Sequence, residues 1–247
     1  MKILVLGKDG MLGQMVYKYL NDKYEVCGID RDTFDVLSDS LEFKVDLNEF
    51  DYVINCIGLL NHETDVSKLI LINALFPHRL DELSLIYNFK LIHISTDCYL
   101  DNTPYGHSKW LGELRDSKNL TLRTSIIGHD KNKNGTGLLN WFLNQKECQG
   151  YTRNYWGGVT TLELAKTIEK CFKLSLDGIY NVTNGEPISK YNLLSLINKV
   201  YNLDINIIPN DNIVSNKSLE KTYDFGIPTY EEMIKEMYDE NNGNIRN

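Results

Sequence analysis

The sequence predicts an α/β fold, in which a doubly wound parallel sheet is joined to a small, discontinuous α+β lobe. Two observations lead to this prediction. Through residues 1–128, short apolar runs alternate with segments of helical periodicity, and apolar strands separated by helices build parallel sheets with helices on both faces. After residue 128 this alternation ends, and a polar segment rich in Asn and Gly at residues 130–137 is followed by helical patterns with few strands.

Each strand predicted in the first half is a short apolar run bounded by helical or turn segments. The predicted strands cover residues 3–6, 24–29, 43–46, 51–57, 90–95 and 120–127. The predicted helices cover residues 10–20 and 66–87, with a break allowed at Pro77, and a third helix carries Lys109 and runs to about residue 117.

The second half predicts the smaller lobe. Its helices are expected at residues 138–144, 161–172, 189–201 and 230–238, with Ser189 and Thr229 as N-caps, and its strands at 179–182 and 205–208. We therefore predict a first domain over residues 1–128 that also includes about 156–183, a second, smaller lobe over 129–155 and 184–240, and a frayed tail over 241–247.

Composition narrows the class of protein. The 247 residues are 42% hydrophobic and 24% charged, as in ordinary globular proteins. The net charge of -8 argues against nucleic acid or an anionic membrane as a partner. No stretch approaches the roughly 20 apolar residues of a membrane span. The five scattered cysteines include no Cys-x-x-Cys pair, which favours a reducing, cytoplasmic compartment and argues against a metal site.

A glycine-rich turn indicates a dinucleotide site. Gly7, Gly10 and Gly13 are spaced G-x-x-G-x-x-G directly after the first predicted strand, and Met11 and Leu12 open the first helix. Glycines at such a turn let the backbone approach a pyrophosphate whose charge faces the helix N-terminus. The pattern alone is weak evidence, and the strand-turn-helix context strengthens it.

Further candidate cofactor residues lie at the ends of predicted strands. Asp30 suits the ribose hydroxyls of NAD and Arg31 suits the 2′-phosphate of NADP, although a solvated charge pair would look the same. Asp46 and Leu47 could hold the adenine edge. The remaining candidates are the small or apolar residues after the fourth predicted strand, where a cofactor can lie close: Cys56, Ile57 and Gly58.

A Tyr-x-x-x-Lys element indicates where the chemistry takes place. Tyr105 and Lys109 are four residues apart and share a face if the segment is helical. The Lys ammonium would then favour the phenolate of the Tyr, whose ordinary pKa is about 10. Thr96 stands at the carboxyl end of a predicted strand, where ligands of such sheets bind, and can offer a hydroxyl to a carbonyl oxygen.

These motifs resemble those of the extended short-chain dehydrogenases/reductases, and are most similar to the dTDP-4-dehydrorhamnose reductase group of nucleotide-sugar 4-ketoreductases. The resemblance is dense in the first half and thinner in the second, where it rests on the Thr160-Thr161 segment and on residues 178–182. The segments that carry it are residues 7–14, 51–59, 72–80, 91–101, 104–113, 120–128 and 156–165.

The resemblance implies Thr96, Tyr105 and Lys109 as a catalytic trio and places Asn73 near the cofactor. It implies hydride transfer from NADPH, with NADH as the alternative, to C4 of a 4-keto-6-deoxy sugar linked to UDP or dTDP. The sugar would be of the rhamnose type or a 2-acetamido-2,6-dideoxy hexose. It also implies that the first domain is a dinucleotide-binding domain of the Rossmann type and that the second is a substrate-binding lobe for the nucleotide sugar, and it leaves a homodimer open.

Relatives with other functions define the alternatives. Dehydratases of this kind need Thr-Asp-Glu where this chain has Thr96, Asp97 and Cys98, which argues against dehydration. A nucleotide-sugar epimerase and a non-catalytic, NADP-binding regulatory subunit remain open.

One departure from the family concerns the walls of the site. Relatives carry a longer insertion before the catalytic Tyr, of which only residues 98–104 remain here, so the second lobe is expected to supply more of the substrate wall. The candidate substrate residues there lie near the Trp156 motif: Tyr151, Arg153, Asn154 and Trp156.

Overall fold

The fold is built on a six-stranded sheet and flanking helices, as seen in a computed structural model that describes residues 1–131 and 137–243 and, for Leu100, the backbone. The strands are β1 (Lys2–Leu6), β2 (Glu25–Ile29), β3 (Tyr52–Asn55), β4 (Lys90–Ser95), β5 (Leu120–Arg123), β6 (Ile126–Ile127), β7 (Glu147–Tyr151), β8 (Asn154–Trp156), β9 (Val159–Thr160), β10 (Gly178–Asn181), β11 (Ile188–Ser189), β12 (Asn206–Asn210) and β13 (Ser215–Lys217). The helices are α1 (Met11–Asn21), α2 (Val66–Leu69), α3 (Phe76–Tyr87), α4 (Pro104–Leu111), α5 (Leu138–Leu143), α6 (Thr161–Lys173), α7 (Lys190–Val200) and α8 (Tyr230–Gly243).

The main sheet has the order β10-β5-β4-β3-β1-β2, and its β2-β1, β1-β3, β3-β4 and β4-β5 pairs are parallel. The predicted α/β class with a doubly wound parallel sheet is thereby confirmed. Alternate residues of the strands face opposite sides, so Leu4, Val53 and Leu91 share one buried face with Leu80 of α3. Each such leucine, buried from water, contributes about 1.5–3 kcal/mol.

The predicted helix over residues 66–87 forms, but its pitch changes in the middle. A π-helical segment, Ile70–Leu75, connects α2 to α3. Pro77 follows in the first turn of α3, where a residue without an N–H group is tolerated. The π-helical segment carries Asn73, which is fully buried. Single π turns of this kind are frequent at functional sites.

Three local predictions were wrong. Residues 43–46 form no strand: a 3-10 helix covers Leu41–Phe43, and Phe43 is 86% exposed, so the segment lacks a buried apolar face. The helix that carries Lys109 ends at Leu111 instead of continuing to 117. The strand predicted over 120–127 is divided into β5, which pairs with β4, and β6, which pairs with β9.

The contacts divide the chain into two units. The first comprises Met1–Arg123 and Ala165–Tyr180, and the second comprises Thr124–Leu164 and the chain from Asn181 onwards. The second unit holds a three-stranded sheet in the order β11-β8-β13 and two strand pairs, β12-β7 and β6-β9. The sequence predicts boundaries at 128, 156 and 183, and it assigns cofactor binding to the first unit and substrate binding to the second. This assignment of binding roles stays a prediction.

Helix ends in the second unit follow the sequence signals. Ser189 Oγ accepts a hydrogen bond from Asn192 N at 3.2 Å, as an N-cap does. Thr229 and Glu232 form a reciprocal capping box ahead of α8. Helix α8 extends to Gly243, so residues 241–243 of the predicted frayed tail are helical. Residues 244–247, and 132–136 of the predicted loop, lie outside the described residues.

None of the helices within residues 1–131 and 137–243 is long and apolar enough to cross a membrane.

The close approach of α4 to the π-helical segment generates a stability prediction. A Cβ atom on Gly112 would lie 1.9 Å from the carbonyl oxygen of Asn73. Gly112 has an ordinary backbone conformation, with φ -83°, so the effect of Gly112→Ala is purely steric. We expect it to lower the free energy of unfolding by about 1–3 kcal/mol, measured by urea denaturation without cofactor.

The matched control is Gly58→Ala. A Cβ there would have its nearest neighbour at 3.4 Å, an ordinary contact distance. Its unfolding free energy should stay within about 0.5 kcal/mol of the parent. Equal stability of the two variants would show that the backbone relaxes around Gly112.

Candidate active site

The glycine turn after β1 is packed tightly on one side and open on the other. Gly7 has φ +79°, and its N–H and that of Lys8 donate to Ile29 O at 2.8 and 3.0 Å. A Cβ on Gly13 would lie 2.0 Å from Gly7 O, whereas a Cβ on Gly10 would meet nothing closer than 3.4 Å. The structure itself therefore requires glycine at positions 7 and 13, while Gly10 leaves room for another molecule.

The N-terminus of α1 can receive an anion. Gly10 is the N-cap and has no side chain that could accept from the first-turn N–H groups of Met11, Leu12 and Gly13. These N–H groups carry the positive end of the helix dipole, which is the usual arrangement at phosphate sites.

A cavity of about 270 Å³ lies at this turn. It brings together seven of the predicted cofactor residues: Gly7, Gly10, Asp30, Arg31, Cys56, Ile57 and Gly58. It is also lined by residues that sequence reasoning missed: Asp9, Phe34, Asp35, Val36, Leu59 and Ile72. For two of them position was the available signal, since Asp9 lies inside the glycine turn and Leu59 follows the strand predicted over residues 51–57.

Asp46 and Leu47 are not among the residues that line this cavity. Leu47 is 1% exposed and belongs to the hydrophobic core, and Asp46 caps the 3-10 helix Leu47–Glu49 by accepting from Asn48 N at 3.1 Å. Their side chains thus have structural contacts, and the predicted contact with an adenine edge stays a prediction.

Two ion pairs lie at the end of the cavity that Asp30 and Arg31 line. Lys8 Nζ is 2.9 Å from Asp30 Oδ2, and this hydrogen bond, with those from Thr33, lowers the pKa of Asp30 to about 2. Arg31, whose side chain is 75% exposed, lies 3.4 Å from Asp35. Asp30 is therefore an anion throughout the physiological range, and Arg31 is only loosely held.

Tyr105 and Lys109 lie on α4, whose start is well defined by sequence. Thr103 is the N-cap and accepts from Gly106 N at 3.1 Å, and Pro104 occupies the first helical position. Lys109 is 7% exposed and its Nζ donates to Ile94 O at 2.6 Å. Burial lowers the pKa of Lys109 to about 8, although nearby Glu113 opposes this shift.

Asn73 connects three parts of the site. Its Oδ1 accepts from Leu59 N at 2.8 Å, and its Nδ2 donates to Leu59 O and to Ser108 Oγ, both at 3.1 Å. The Ser108 hydroxyl in turn donates to Tyr105 O at 2.8 Å. Asn73 thereby fixes the segment after β3 against α4. Asn73 contacts Leu59, which lines the cavity, but does not line the cavity itself.

The segment after β4 begins with buried polar residues. Thr96 is 5% exposed; its hydroxyl oxygen accepts from Cys98 N at 3.1 Å, and its hydroxyl hydrogen is directed at Asp97 Oδ1 at 3.4 Å. Asp97 is 6% exposed, and within the described residues its Oδ2 has no hydrogen-bond partner. Both lie at the carboxyl end of β4, as predicted from the order of the strands.

Behind the site lies a buried ion network that the sequence reasoning missed. The Glu113 side chain is fully buried and accepts from Arg123 Nε and Nη2, both at 2.6 Å, and from Ser95 Oγ at 3.0 Å. The Arg123 guanidinium stacks on the ring of Tyr99 at 4.1 Å. Tyr99 belongs to the shortened segment 98–104, so this network braces that segment against β5.

The four candidate substrate residues lie in the second unit, at β7 and β8. Tyr151 ends β7 and is half-buried, and Arg153 is exposed. Asn154 opens β8, where it is paired with Ser215 of β13. Trp156 is 5% exposed and packs against the ring of Tyr230 at 5.7 Å. Trp156 therefore packs in the interior of the second unit and does not form part of an open surface.

The strand order, the glycine turn and the Tyr-x-x-x-Lys helix define a Rossmann-type fold of the extended short-chain dehydrogenase/reductase class. A family model described as RmlD substrate binding domain matches residues 1–242. The chain belongs to this family.

The chain is similar in sequence and in fold to several dTDP-4-dehydrorhamnose reductases. The chain is 24% identical over 184 residues to a dTDP-4-dehydrorhamnose reductase from Aggregatibacter actinomycetemcomitans, a match that covers 64% of this chain and 63% of that relative. The fold is similar to the dTDP-4-dehydrorhamnose reductase of Bacillus anthracis in complex with NADP, at 19% identity and TM-score 0.80, covering 97% of this chain and 99% of that one. The fold is also similar to a dTDP-4-dehydrorhamnose reductase of Clostridium acetobutylicum, at 21% identity and TM-score 0.81, covering 98% of this chain and 100% of that one.

The buried network predicts a large effect for Glu113→Gln. The substitution leaves the Arg123 guanidinium, 17% exposed, without its charged partner. Breaking a buried pair in this way typically costs about 3–5 kcal/mol, and we expect a loss of this size in chemical denaturation.

As a control, Glu82→Gln removes a carboxylate that is 65% exposed and pairs with Arg79 on the surface of α3. Its effect should stay below about 1 kcal/mol. A small effect at both positions would mean that water or another side chain replaces Glu113.

Proposed function

We propose that this protein is an NADPH-dependent ketoreductase that reduces the C4 keto group of a 4-keto-6-deoxy nucleotide sugar in deoxysugar biosynthesis. The observation that carries the proposal is Lys109, which is buried on the same helix as Tyr105 and lies next to the cavity: a Cβ on Gly58 would be 3.5 Å from its Nζ. Family membership and the likeness to reductases of that name support the same activity.

The cavity at the glycine turn fits a dinucleotide. The uncapped N-terminus of α1 and the space above Gly10 suit a pyrophosphate, and Asp30 and Arg31 suit the adenosine ribose. When bound, the reduced nicotinamide supplies the hydride for C4. NADPH is the proposed cofactor, with NADH as the alternative, and the similar reductase of Bacillus anthracis was solved in complex with NADP.

The residues of α4 and β4 would handle the proton and the carbonyl oxygen. Tyr105 donates its phenolic proton to the oxygen as the alkoxide forms, and Thr96 holds the same oxygen with its hydroxyl. The Lys109 ammonium favours the phenolate and so eases this transfer. Water restores the proton to Tyr105 after each turnover, which balances the reduction of a ketone to an alcohol.

The second unit is proposed to bind the nucleotide sugar, which is UDP- or dTDP-linked and carries a rhamnose-type or 2-acetamido-2,6-dideoxy hexose. Tyr151, Arg153 and Asn154 are the proposed contacts, because Arg suits a diphosphate and the three lie together at the turn from β7 to β8. Trp156 would support them from below through its packing on Tyr230.

The activity is tested by mixing the protein with NADPH and a panel of UDP- and dTDP-4-keto-6-deoxy hexoses, with and without 2-acetamido groups. Consumption of NADPH and formation of the 4-hydroxy sugar by at least one of them is expected. A sugar isomerised without net NADPH oxidation would indicate an epimerase. Tight NADPH binding without turnover of any sugar would indicate a non-catalytic subunit, and either result overturns the proposal.

Tyr105→Phe keeps the ring and removes the proton donor. We expect turnover to fall by about 10²–10⁴, the usual size of general acid catalysis. NADPH affinity, measured by fluorescence titration, should change little. Tyr87→Phe on α3 is a control for the loss of a phenol elsewhere in the same unit. Near-normal turnover in Tyr105→Phe would mean that another group gives the proton.

The lowered pKa of Lys109 predicts an alkaline limb in the activity. Because its pKa is about 8, the ammonium is present below that pH and is lost above it. Turnover should be flat below about pH 7 and fall by up to about tenfold per pH unit above pH 8. Initial rates from pH 6 to 10 at saturating NADPH and sugar measure it.

Lys109→Arg provides the comparison, because a guanidinium does not titrate in this range. Its turnover is expected to be lower than that of the parent but without the limb near pH 8. An unchanged limb in Lys109→Arg would assign it to another group, and unfolding curves recorded at each pH show that both proteins remain folded.

A further inference from the structure

Lys8 stands at the second position of the glycine turn and pairs with the residue that would read the adenosine ribose. We propose that Lys8 sets the preference between NADPH and NADH by occupying and neutralising Asp30. This inference rests on the proposed function only for the identity of the ligand class, since it concerns binding and not turnover.

Both carboxylate oxygens of Asp30 are already engaged by the protein. Oδ1 accepts from Thr33 N at 2.9 Å and from Thr33 Oγ1 at 2.8 Å, and Oδ2 faces Lys8 Nζ at 2.9 Å. NADH is usually recognised when such a carboxylate accepts from the ribose hydroxyls. Because Lys8 Nζ lies on Asp30 Oδ2, this oxygen is less available to accept from the ribose hydroxyls of NADH. The contact that favours NADH over NADPH is therefore weakened.

The position of Lys8 is built into the turn. Its stem lies along β2, where a Cβ on Gly28 would approach Lys8 Cδ to 2.7 Å. The absence of a side chain at Gly28 thus lets the lysine reach Asp30 across the strand end. The Lys8 side chain is 32% exposed, so its charge is only partly screened by water.

Charge at this end of the cavity explains why the pair matters for a 2′-phosphate. Three carboxylates, Asp9, Asp30 and Asp35, line the cavity against one lining cation, Arg31. Lys8 cancels the charge of Asp30, which stays ionised because its pKa is about 2. Arg31, 75% exposed and 3.4 Å from Asp35, can then turn to the phosphate.

The test is a cycle of variants measured by direct binding. Dissociation constants for NADPH and NADH, without sugar, are obtained by fluorescence titration or calorimetry for the parent, Lys8→Met, Asp30→Asn and the double variant. Lys68→Met is the matched control, since Lys68 pairs with Asp65 on the exposed start of α2 and its loss changes the net charge equally. Thermal unfolding checks that every variant is folded.

We expect Lys8→Met to raise the ratio of the NADPH to the NADH dissociation constant by about fivefold, the upper end of what a partly exposed ion pair contributes. Lys68→Met should leave the ratio unchanged. In the Asp30→Asn background the effect of Lys8→Met should shrink to less than about twofold, because there is no carboxylate left to cover.

Two results would overturn the inference: an unchanged ratio in Lys8→Met, or an equal shift when Asp30 is already Asn, which would mean that Lys8 contacts the cofactor directly. Binding of neither cofactor by the parent protein would remove both this inference and the proposed function. Binding with the expected ratios but without reduction of any keto sugar would contradict the proposed function alone.

Discussion

A lysine ammonium enclosed in the protein interior is the constraint around which the first unit is organised. A buried cation is costly unless its charge and hydrogen bonds are compensated. Lys109 has the carbonyl of Ile94 at 2.6 Å, and the carboxylate of Glu113 acts on it from a distance. The buried imidazole of His93 has its pKa held well below 6.5, by burial and then by Lys109, so it adds no second positive charge.

The burial of Lys109 requires several separate elements to be held together by hydrogen bonds. The strand β4 supplies the carbonyl for Lys109, α4 carries the lysine, and the network of Glu113 and Arg123 holds the end of α4 to β5. Asn73 fixes the segment after β3 to the same helix. Preorganised polar groups of this kind need no rearrangement when charge develops near them.

Local patterns predicted most of the first unit, and long-range contacts account for what they missed. The parallel strands and the glycine turn were predicted because a buried strand and a tight turn each require particular residue types at consecutive positions. The end of α4 was placed too late because it depends on the contact between Gly112 and Asn73, which are far apart in sequence. The pairing of Lys8 with Asp30 was missed for the same reason.

The π-helical segment, Ile70–Leu75, has a consequence for which changes in length the chain can accept. Such a segment holds more residues per turn than the α-helices on either side of it. Deleting one residue there would let a regular α-helix run from α2 into α3 and would remove the bulge that carries Asn73. Asn73 could then no longer face Leu59 and Ser108 together. Homologous chains are therefore expected to vary in the residue types of this segment more readily than in its number of residues.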